Sequence, residues 1–144
     1  MNEYGAKRDW INNEPLTVVN IGSLHFCLEY RLVEICGQEV ELTAKEFDIF
    51  ALLILNPRRV FTYEMIMDIV WNEPYNVYSR KTIINHISNI RRKLKRTPEI
   101  PDYIKSVHSI GYKFDPNATA CKILLLKNDC HMVDTGQINY WGFL

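Results

Sequence analysis

Hydrophobic side chains in residues 79–96 recur with the period of an α-helix. They stand at positions i, i+4, i+7 and i+11, and they are Ile83, Ile87, Ile90 and Leu94. At about 100° per residue, the polar positions fall on the opposite side of such a helix. They are Lys81, Asn85, Ser88, Arg92 and Arg96, with Asn89 at the edge. The pattern predicts a helix with one buried face, with Ser79 as its N-cap and Pro98 beyond its end.

The stretch from Leu16 to Leu42 has the alternation of short β-strands, in which every second side chain shares a face. Leu24, Phe26 and Leu28 share one such face. Turn residues punctuate the pattern, which predicts strands over residues 16–21, 24–28, 31–35 and 39–42. Strands this short, joined by tight turns, are typical of a small antiparallel sheet with one covered face.

Two further helices are expected between this sheet and the basic helix. Thr43-Ala-Lys-Glu46 has the spacing of a capping box, and Asn56-Pro57 ends the helix behind it. The core face of this helix comprises Phe47, Phe50, Ala51, Leu53 and Ile54. Thr62 is the N-cap candidate of the next helix, which runs to Trp71. Its inward side chains are expected to be Met65, Ile66, Ile69 and Val70.

Two strands follow Pro101, over residues 103–107 and 112–114, joined by a short loop that ends in Gly111. This arrangement suits a β-hairpin. Three helices followed by a hairpin, the third helix basic on its outer side, predict the winged variant of the helix-turn-helix fold. For the basic helix alone, a solvated surface helix and a helix that lies in a DNA major groove are equally good interpretations.

The charge distribution is more informative than the net charge, which is zero. Seven Lys or Arg and no Asp or Glu lie between Pro74 and Pro98, whereas residues 29–73 carry most of the acidic side chains. A basic patch on a neutral protein is compatible with DNA binding, and the acidic remainder limits indiscriminate association. A global basic field is excluded.

Other functional classes find little support in the sequence. There is no P-loop, GxSxG or HExxH motif, so we expect a protein that is not an enzyme. Cys121, Cys130 and His131 lack a fourth ligand, so we expect neither a metal site nor a cofactor. The N-terminus lacks the apolar core of a signal peptide, and no run approaches the roughly 18 apolar residues of a membrane helix. We therefore expect a cytoplasmic protein.

Four segments, in this order, resemble the OmpR/PhoB-type winged-helix effector domain of bacterial response regulators. They are residues 37–47, 61–71, 86–94 and 104–114, and the resemblance extends from about Val18 to Asp115. It implies an α+β fold with an N-terminal four-stranded antiparallel sheet, three helices and a C-terminal hairpin wing. It also implies sequence-specific binding to double-stranded promoter DNA, commonly by two copies on direct-repeat half-sites, within a two-component system.

The sequence departs from the family pattern at four places. Pro57-Arg58 and Trp71-Asn72 replace Pro-Gly and Trp-Gly, and Ile84 replaces an acidic residue. His108-Ser109 replaces the arginine-glycine pair of the wing, which puts contact with the minor groove in doubt. Only some 15 residues precede the sheet, so we expect either a stand-alone regulator or an effector domain separated from its receiver.

Candidate DNA contacts fall on the basic helix, over about residues 80–96, and on the wing, over residues 103–114. A charged group or a hydroxyl at the flank of a helix suits contact with a DNA phosphate. The candidates for such contacts are Lys81, Thr82, Ser88, Arg91 and Arg92. Asn85 and Asn89 match base-facing positions of the family, and asparagine can bond adenine N6 and N7 together. On the wing, the candidates for contacts with the flanking DNA backbone or the minor groove are Lys105, His108 and Lys113. Ile84 suits either a thymine methyl or packing under the wing.

The rest of the chain leaves alternatives open. Residues 1–15 are expected to be a flexible leader, 16–115 the winged-helix domain and 116–144 an extension of unknown role. The loop Asn72–Tyr78 corresponds to a surface with which the family contacts RNA polymerase, and Tyr75 and Tyr78 either contact it or cap the core. The alternative function is a winged-helix module for protein interaction or dimerisation, without specific DNA binding.

Overall fold

The computed structural model describes residues 15–117, which begin with a four-stranded antiparallel sheet. Its strands are β1 (Val18–Ile21), β2 (Leu24–Cys27), β3 (Leu32–Ile35) and β4 (Gln38–Glu39), and they pair in chain order. One face is buried, because alternate side chains such as Val19, Phe26 and Val33 lie in the core. The predicted sheet is confirmed, although β4 is shorter than the sequence suggested.

Helix α1 (Ala44–Ile54) begins at the predicted capping box. The Glu46 N–H donates to Thr43 Oγ1 at 3.3 Å, and the Thr43 N–H donates to Glu46 Oε1 at 3.0 Å. These two bonds satisfy amides that have no partner within the helix. The five predicted core residues of α1 are all buried.

Helix α2 (Tyr63–Ile66) follows strand β5 (Phe61–Thr62) and continues as a π-helical segment, Met67–Trp71. Thr62 caps it as predicted, since its Oγ1 accepts from the Met65 N–H at 3.1 Å. The prediction that Ile69 points inward is wrong, because its side chain is 52% exposed. A π-helical turn holds more residues than an α-helical turn, so each residue rotates less about the helix axis. Ile69, three residues after the buried Ile66, therefore lies further from the buried face than an α-helix would place it.

Helix α3 (Ser79–Leu94) buries the predicted apolar stripe, and the wing follows as β6 (Ile104–Val107) and β7 (Gly111–Phe114). Ser79 is not the N-cap: it is the first helical residue, and its buried Oγ accepts from the Asn76 N–H at 2.8 Å. Tyr78 occupies the cap position without a side-chain cap bond. Strand β7 lies between β6 and β5 in a second sheet, and β5 was not foreseen in the sequence.

Aromatic rings connect the N-terminal sheet, α1 and the wing through the core. Phe26 of β2 stacks on Phe47 and meets Phe50 edge-on, with ring centroids 5.4 Å and 5.9 Å apart. Phe50 in turn meets Phe114 of β7 edge-on at 6.1 Å, and Phe114 stacks on Tyr103 at 5.6 Å. Each such pair contributes about 0.5–1.5 kcal/mol beyond area burial. The N-terminal sheet, α1 and the wing therefore share one core, and the winged-helix architecture is confirmed.

Some expectations lie outside the described residues. These are the leader up to residue 14, the extension from residue 118 onward and the cysteine and histidine side chains within it. Across residues 15–117 no group of His, Cys, Asp and Glu has the arrangement of a metal site. Within the same span, every helix is too short or too polar to cross a membrane.

The contact between β5 and β7 generates a stability prediction at Gly111. A Cβ atom added there would lie 1.9 Å from the Phe61 carbonyl oxygen, which is backbone and cannot rotate away. We expect Gly111→Ala to lower the free energy of unfolding by at least about 2 kcal/mol, measured by urea denaturation. Lys113→Ala on the same strand is the control and should change it by less than about 0.5 kcal/mol. Equal values for the two variants would contradict the close approach.

Candidate nucleic-acid interface

The outer face of α3 presents polar and basic side chains on a helix whose inner face is fixed in the core. Lys81, Asn85, Ser88 and Arg92 are exposed, and Asn89 at the edge of this face is half-buried. Thr82 is half-buried and donates its hydroxyl to the Tyr78 carbonyl at 3.0 Å. The predicted division of α3 into a core face and a polar face is therefore present. The polar face carries no acidic side chain.

The start of α3 is electrostatically unfavourable for the isolated protein. Its first turn contains no acidic residue, and Tyr78 provides no side-chain cap bond. Arg80 and Lys81 instead place positive charge in this first turn. The helix dipole favours anions at this end, so a phosphate group would relieve the repulsion.

Arg80 is an interface candidate that the sequence reasoning missed. Its guanidinium lies 4.6 Å above the centroid of the Tyr63 ring, and Tyr63 meets Tyr112 of the wing edge-on. Burial, with the hydrogen bond and charge of Tyr63, raises the pKa of Tyr112 to about 12, although the charges of Arg91 and Arg80 oppose it. The Tyr112 hydroxyl therefore stays protonated at neutral pH. Only the position of Arg80 next to Lys81 in the basic run pointed to it.

Arg91 connects α3 to the wing. Its Nη2 donates to the Ile104 carbonyl at 2.9 Å and to Ser106 Oγ at 3.0 Å, and the guanidinium lies 5.5 Å from the centroid of the Tyr112 ring. Arg91 therefore has a structural role that its predicted phosphate contact does not explain. The guanidinium has five N–H donors, so these bonds leave others available.

Glu46 and Lys93 join α1 to α3 through an ion pair whose carboxylate is buried. Lys93 Nζ donates to Glu46 Oε1 at 2.6 Å, and Glu46 is 3% exposed. Burial by itself raises the pKa of the Glu46 carboxyl. The hydrogen bonds from Lys93 and the Thr43 N–H and the charges of Lys93 and His86 outweigh it, so the pKa lies below its ordinary value. The carboxylate is ionised and holds α3 against α1.

His86 is held on the supporting side of α3. Its Nδ1 donates to the Thr82 carbonyl at 2.8 Å, and its ring meets Trp71 edge-on with centroids 5.1 Å apart. Lys45 donates to the Val70 carbonyl at 3.0 Å, within the π-helical segment that carries Trp71. His86 therefore belongs to the contact between α2 and α3.

The wing places two of its predicted contact residues side by side. Lys105 and Lys113 are direct partners across β6 and β7, an arrangement that like charges disfavour. Because side chains alternate along a strand, this pair lies on the face opposite Tyr112 and Ser106, which contact α3 through Arg91. His108 is exposed in the turn, together with Ser109 and Ile110.

The loop between α2 and α3 exposes apolar side chains. Val77 is 83% exposed, Tyr78 is 76% exposed and Tyr75 is 39% exposed. Neither tyrosine is buried, so capping of the core explains this surface poorly. A cavity of about 230 Å³ lies beside it, lined by Met67, Trp71, Glu73, Asn76, Tyr78, Ser79 and Thr82.

Comparison with known proteins identifies relatives of this chain. The profile of the family described as "Transcriptional regulatory protein, C terminal" matches residues 37–114. The transcriptional regulatory protein YcbL of Bacillus subtilis is 35% identical over 112 residues, which cover 77% of this chain and 47% of YcbL. The DNA-binding response regulator MtrA of Mycolicibacterium smegmatis is 30% identical over 104 residues, 72% of this chain and 45% of MtrA. The chain thus spans about half the length of the curated relatives it matches.

Solved structures of similar domains share the fold. The DNA-binding domain of RstA from Klebsiella pneumoniae, crystallised in complex with the RstA box, is 26% identical with a TM-score of 0.61. The match covers 69% of this chain and 98% of that domain. The DNA-binding domain of CpxR from E. coli is 25% identical, also with a TM-score of 0.61, over 71% of this chain and 97% of that domain.

The ion pair between Glu46 and Lys93 predicts a pH dependence of stability. A carboxylate with a lowered pKa stabilises the fold above its unfolded pKa of about 4.3, and this stability is lost as the pH falls through the folded pKa. Glu46→Gln keeps the cap but loses the charge, so it should be less stable at pH 7 by about 1–3 kcal/mol.

The measurement is urea unfolding of both chains from about pH 6 down to about pH 3. The unmodified chain should lose more stability than Glu46→Gln on acidification, so that the two curves converge. Lys93→Met removes the partner and should flatten the curve in the same way. Parallel curves for the unmodified chain and Glu46→Gln would show that the carboxylate is not stabilised as described.

Proposed function

Because this chain belongs to the family of transcriptional regulatory protein C-terminal domains, we propose that it is a transcription regulator that binds specific sites in double-stranded promoter DNA. Helix α3 lies in the major groove, and the wing contacts the flanking backbone or minor groove. The observation that carries the proposal is the exposed face of α3, a basic and amide-bearing surface without a carboxylate on a helix fixed in the core.

We divide the contacts into those that position the domain and those that recognise bases. Phosphate contacts are assigned to Lys81, Thr82, Ser88, Arg91 and Arg92, with Lys105, His108 and Lys113 on the flanks. Asn85 and Asn89 face the base edges. Arg80 joins the phosphate set because it flanks the same end of α3 as Lys81.

Further partners follow from the same proposal. Two copies bind direct-repeat half-sites, and the exposed loop with Tyr75 and Tyr78 contacts RNA polymerase. The chain works in the cytoplasm, where promoter DNA is found in bacteria, and we assign it no catalytic role. Val77 and Tyr78, both largely exposed, also favour a second candidate, a winged-helix module that binds a protein through this loop.

Selection of bound fragments from random DNA by the full chain tests the proposal. We expect enrichment of one sequence, with spacing between half-sites that reports the number of copies bound. If about four to six phosphate contacts form, the logarithm of the binding constant should fall against the logarithm of salt concentration with a slope of about −4 to −5. Recovery of unselected sequences would favour the protein-interaction module instead.

Asn85→Ala and Lys81→Ala should affect binding in different ways. Loss of the Asn85 amide should reduce discrimination at one base position by about 1–3 kcal/mol, because both bonds to that base edge disappear. Loss of the Lys81 charge should weaken binding to all sequences and reduce the salt slope by about one. Fluorescence anisotropy with single-base variants of the selected site measures both effects. Unchanged specificity in Asn85→Ala would show that this side chain does not face the bases.

A further inference from the structure

Arg92 and Asn89 form a hydrogen-bonded pair on the outer part of α3. Arg92 Nη2 donates to Asn89 Oδ1 at 2.8 Å, and the three-residue spacing places both side chains on one face of the helix. A guanidinium carries only donors, so it can meet only the oxygen end of the amide. The orientation of the Asn89 amide is therefore determined by chemistry: its oxygen points to Arg92 and its nitrogen points elsewhere.

The neighbouring cations on α3 have different tasks. Arg91 donates to the wing and Lys93 donates to Glu46, so both stabilise the fold. Arg92 is exposed, and Asn89 is the side chain it contacts in the described part of the chain. Arg92 therefore binds a side chain that itself belongs to the proposed DNA interface.

This pairing changes what Asn89 offers to a base. An unrestrained asparagine presents an acceptor and a donor, which match N6 and N7 of adenine. In the pair one lone pair of the Asn89 oxygen is occupied and the oxygen points toward Arg92, so the groups offered side by side are the amide N–H donors and the remaining N–H donors of Arg92. Two adjacent donors match a base edge with two acceptors, and guanine presents O6 and N7 there. The side chain of Asn85 has no hydrogen-bond partner within residues 15–117, so it keeps both its acceptor and its donor for a base.

We propose that Arg92 is a specificity-determining residue that orients the Asn89 amide as a donor, so that the pair recognises guanine while Asn85 recognises adenine. The proposal rests on the proposed function, because it requires α3 to face base edges. It differs from the assignment of Arg92 to phosphate alone, in which loss of the side chain weakens binding to all sequences equally.

Two substitutions at Arg92 separate these roles. Arg92→Gln and Arg92→Met both remove the charge, so any phosphate contribution is lost equally. Glutamine still donates a hydrogen bond to asparagine at this helix spacing, whereas methionine has no donor. Asn89→Ala and the double variant Arg92→Met/Asn89→Ala complete the set. Arg92 is exposed, and circular dichroism verifies that each full-length variant is folded.

The experiment selects DNA from a random pool with the unmodified chain and then measures affinity for its site with guanine or adenine at each position. We expect Arg92→Met to lower the guanine-over-adenine preference about tenfold or more at one position, and Arg92→Gln to retain most of it. Asn89→Ala should lose the preference at that same position. The double variant should lose no more than Asn89→Ala, since the two side chains act as a unit.

Three results would overturn the inference. They are equal base preferences in Arg92→Met and Arg92→Gln, losses at different positions in Arg92→Met and Asn89→Ala, and an adenine preference of the unmodified chain at the Asn89 position. Each leaves the proposed function intact, because the unmodified chain still selects a sequence. Failure of the unmodified chain to select any sequence would overturn both.

Discussion

The ionised carboxylate of Glu46 is the interaction on which the orientation of α3 depends. One of its oxygens accepts both the Thr43 N–H, which completes the start of α1, and the ammonium of Lys93 on α3. A buried charge is costly unless it is paired and hydrogen-bonded, so α1 can begin here favourably only while Lys93 stays in place. The formation of one helix is thus coupled to the docking of the other. Because Lys93 adjoins Arg92, the same contact fixes the rotation of the outer face.

The wing is joined to this assembly at two separate places. Arg91 holds β6 through the Ile104 carbonyl and the Ser106 hydroxyl, while Gly111 lets β7 approach the backbone of Phe61. Phe114 then packs against Phe50 in the core. The separation between α3 and the wing turn is therefore set by the protein interior. In the proposed complex, a separation fixed in this way would leave little conformational entropy to be lost when both elements contact the duplex.

Local patterns predicted the features that depend on residues close in sequence. The capping box at Thr43 and the apolar stripe of α3 could be found because their partners lie within a few turns. Ile69 was misplaced because the π-helical segment changes the number of residues per turn, and no periodicity in the sequence marks this change. Strand β5 has only two residues and exists through its pairing with Tyr112 and Gly111, some fifty positions away.

In the candidate site too, features set by residues close in sequence were predictable and features set by distant contacts were not. Exposure of Lys81 and Asn85 followed from helix geometry alone, whereas the bonds from Arg91 to the wing required the fold. The pair of Arg92 and Asn89 lies three residues apart and was accessible to sequence reasoning, which treated the two side chains separately. The binding role of each residue stays a prediction, because exposure on a basic face is shared by phosphate contacts and solvated side chains.

The contacts of its basic residues divide α3 into two parts. From Arg91 to Arg96, at the end of α3 and just beyond it, every basic side chain donates a hydrogen bond within the protein, including Lys95 to the Ile100 carbonyl and Arg96 to the Glu39 carbonyl. The first half carries Arg80 and Lys81 beside an uncapped helix start. The cations at the end of the helix therefore have hydrogen-bond partners, whereas the side chains of Arg80 and Lys81 make no hydrogen bond within residues 15–117. Recognition helices contact base edges mainly with their N-terminal residues. This difference in hydrogen bonding is consistent with the proposed entry of α3 into the groove by its first half, with Asn89 and Arg92 at the far end of the contact.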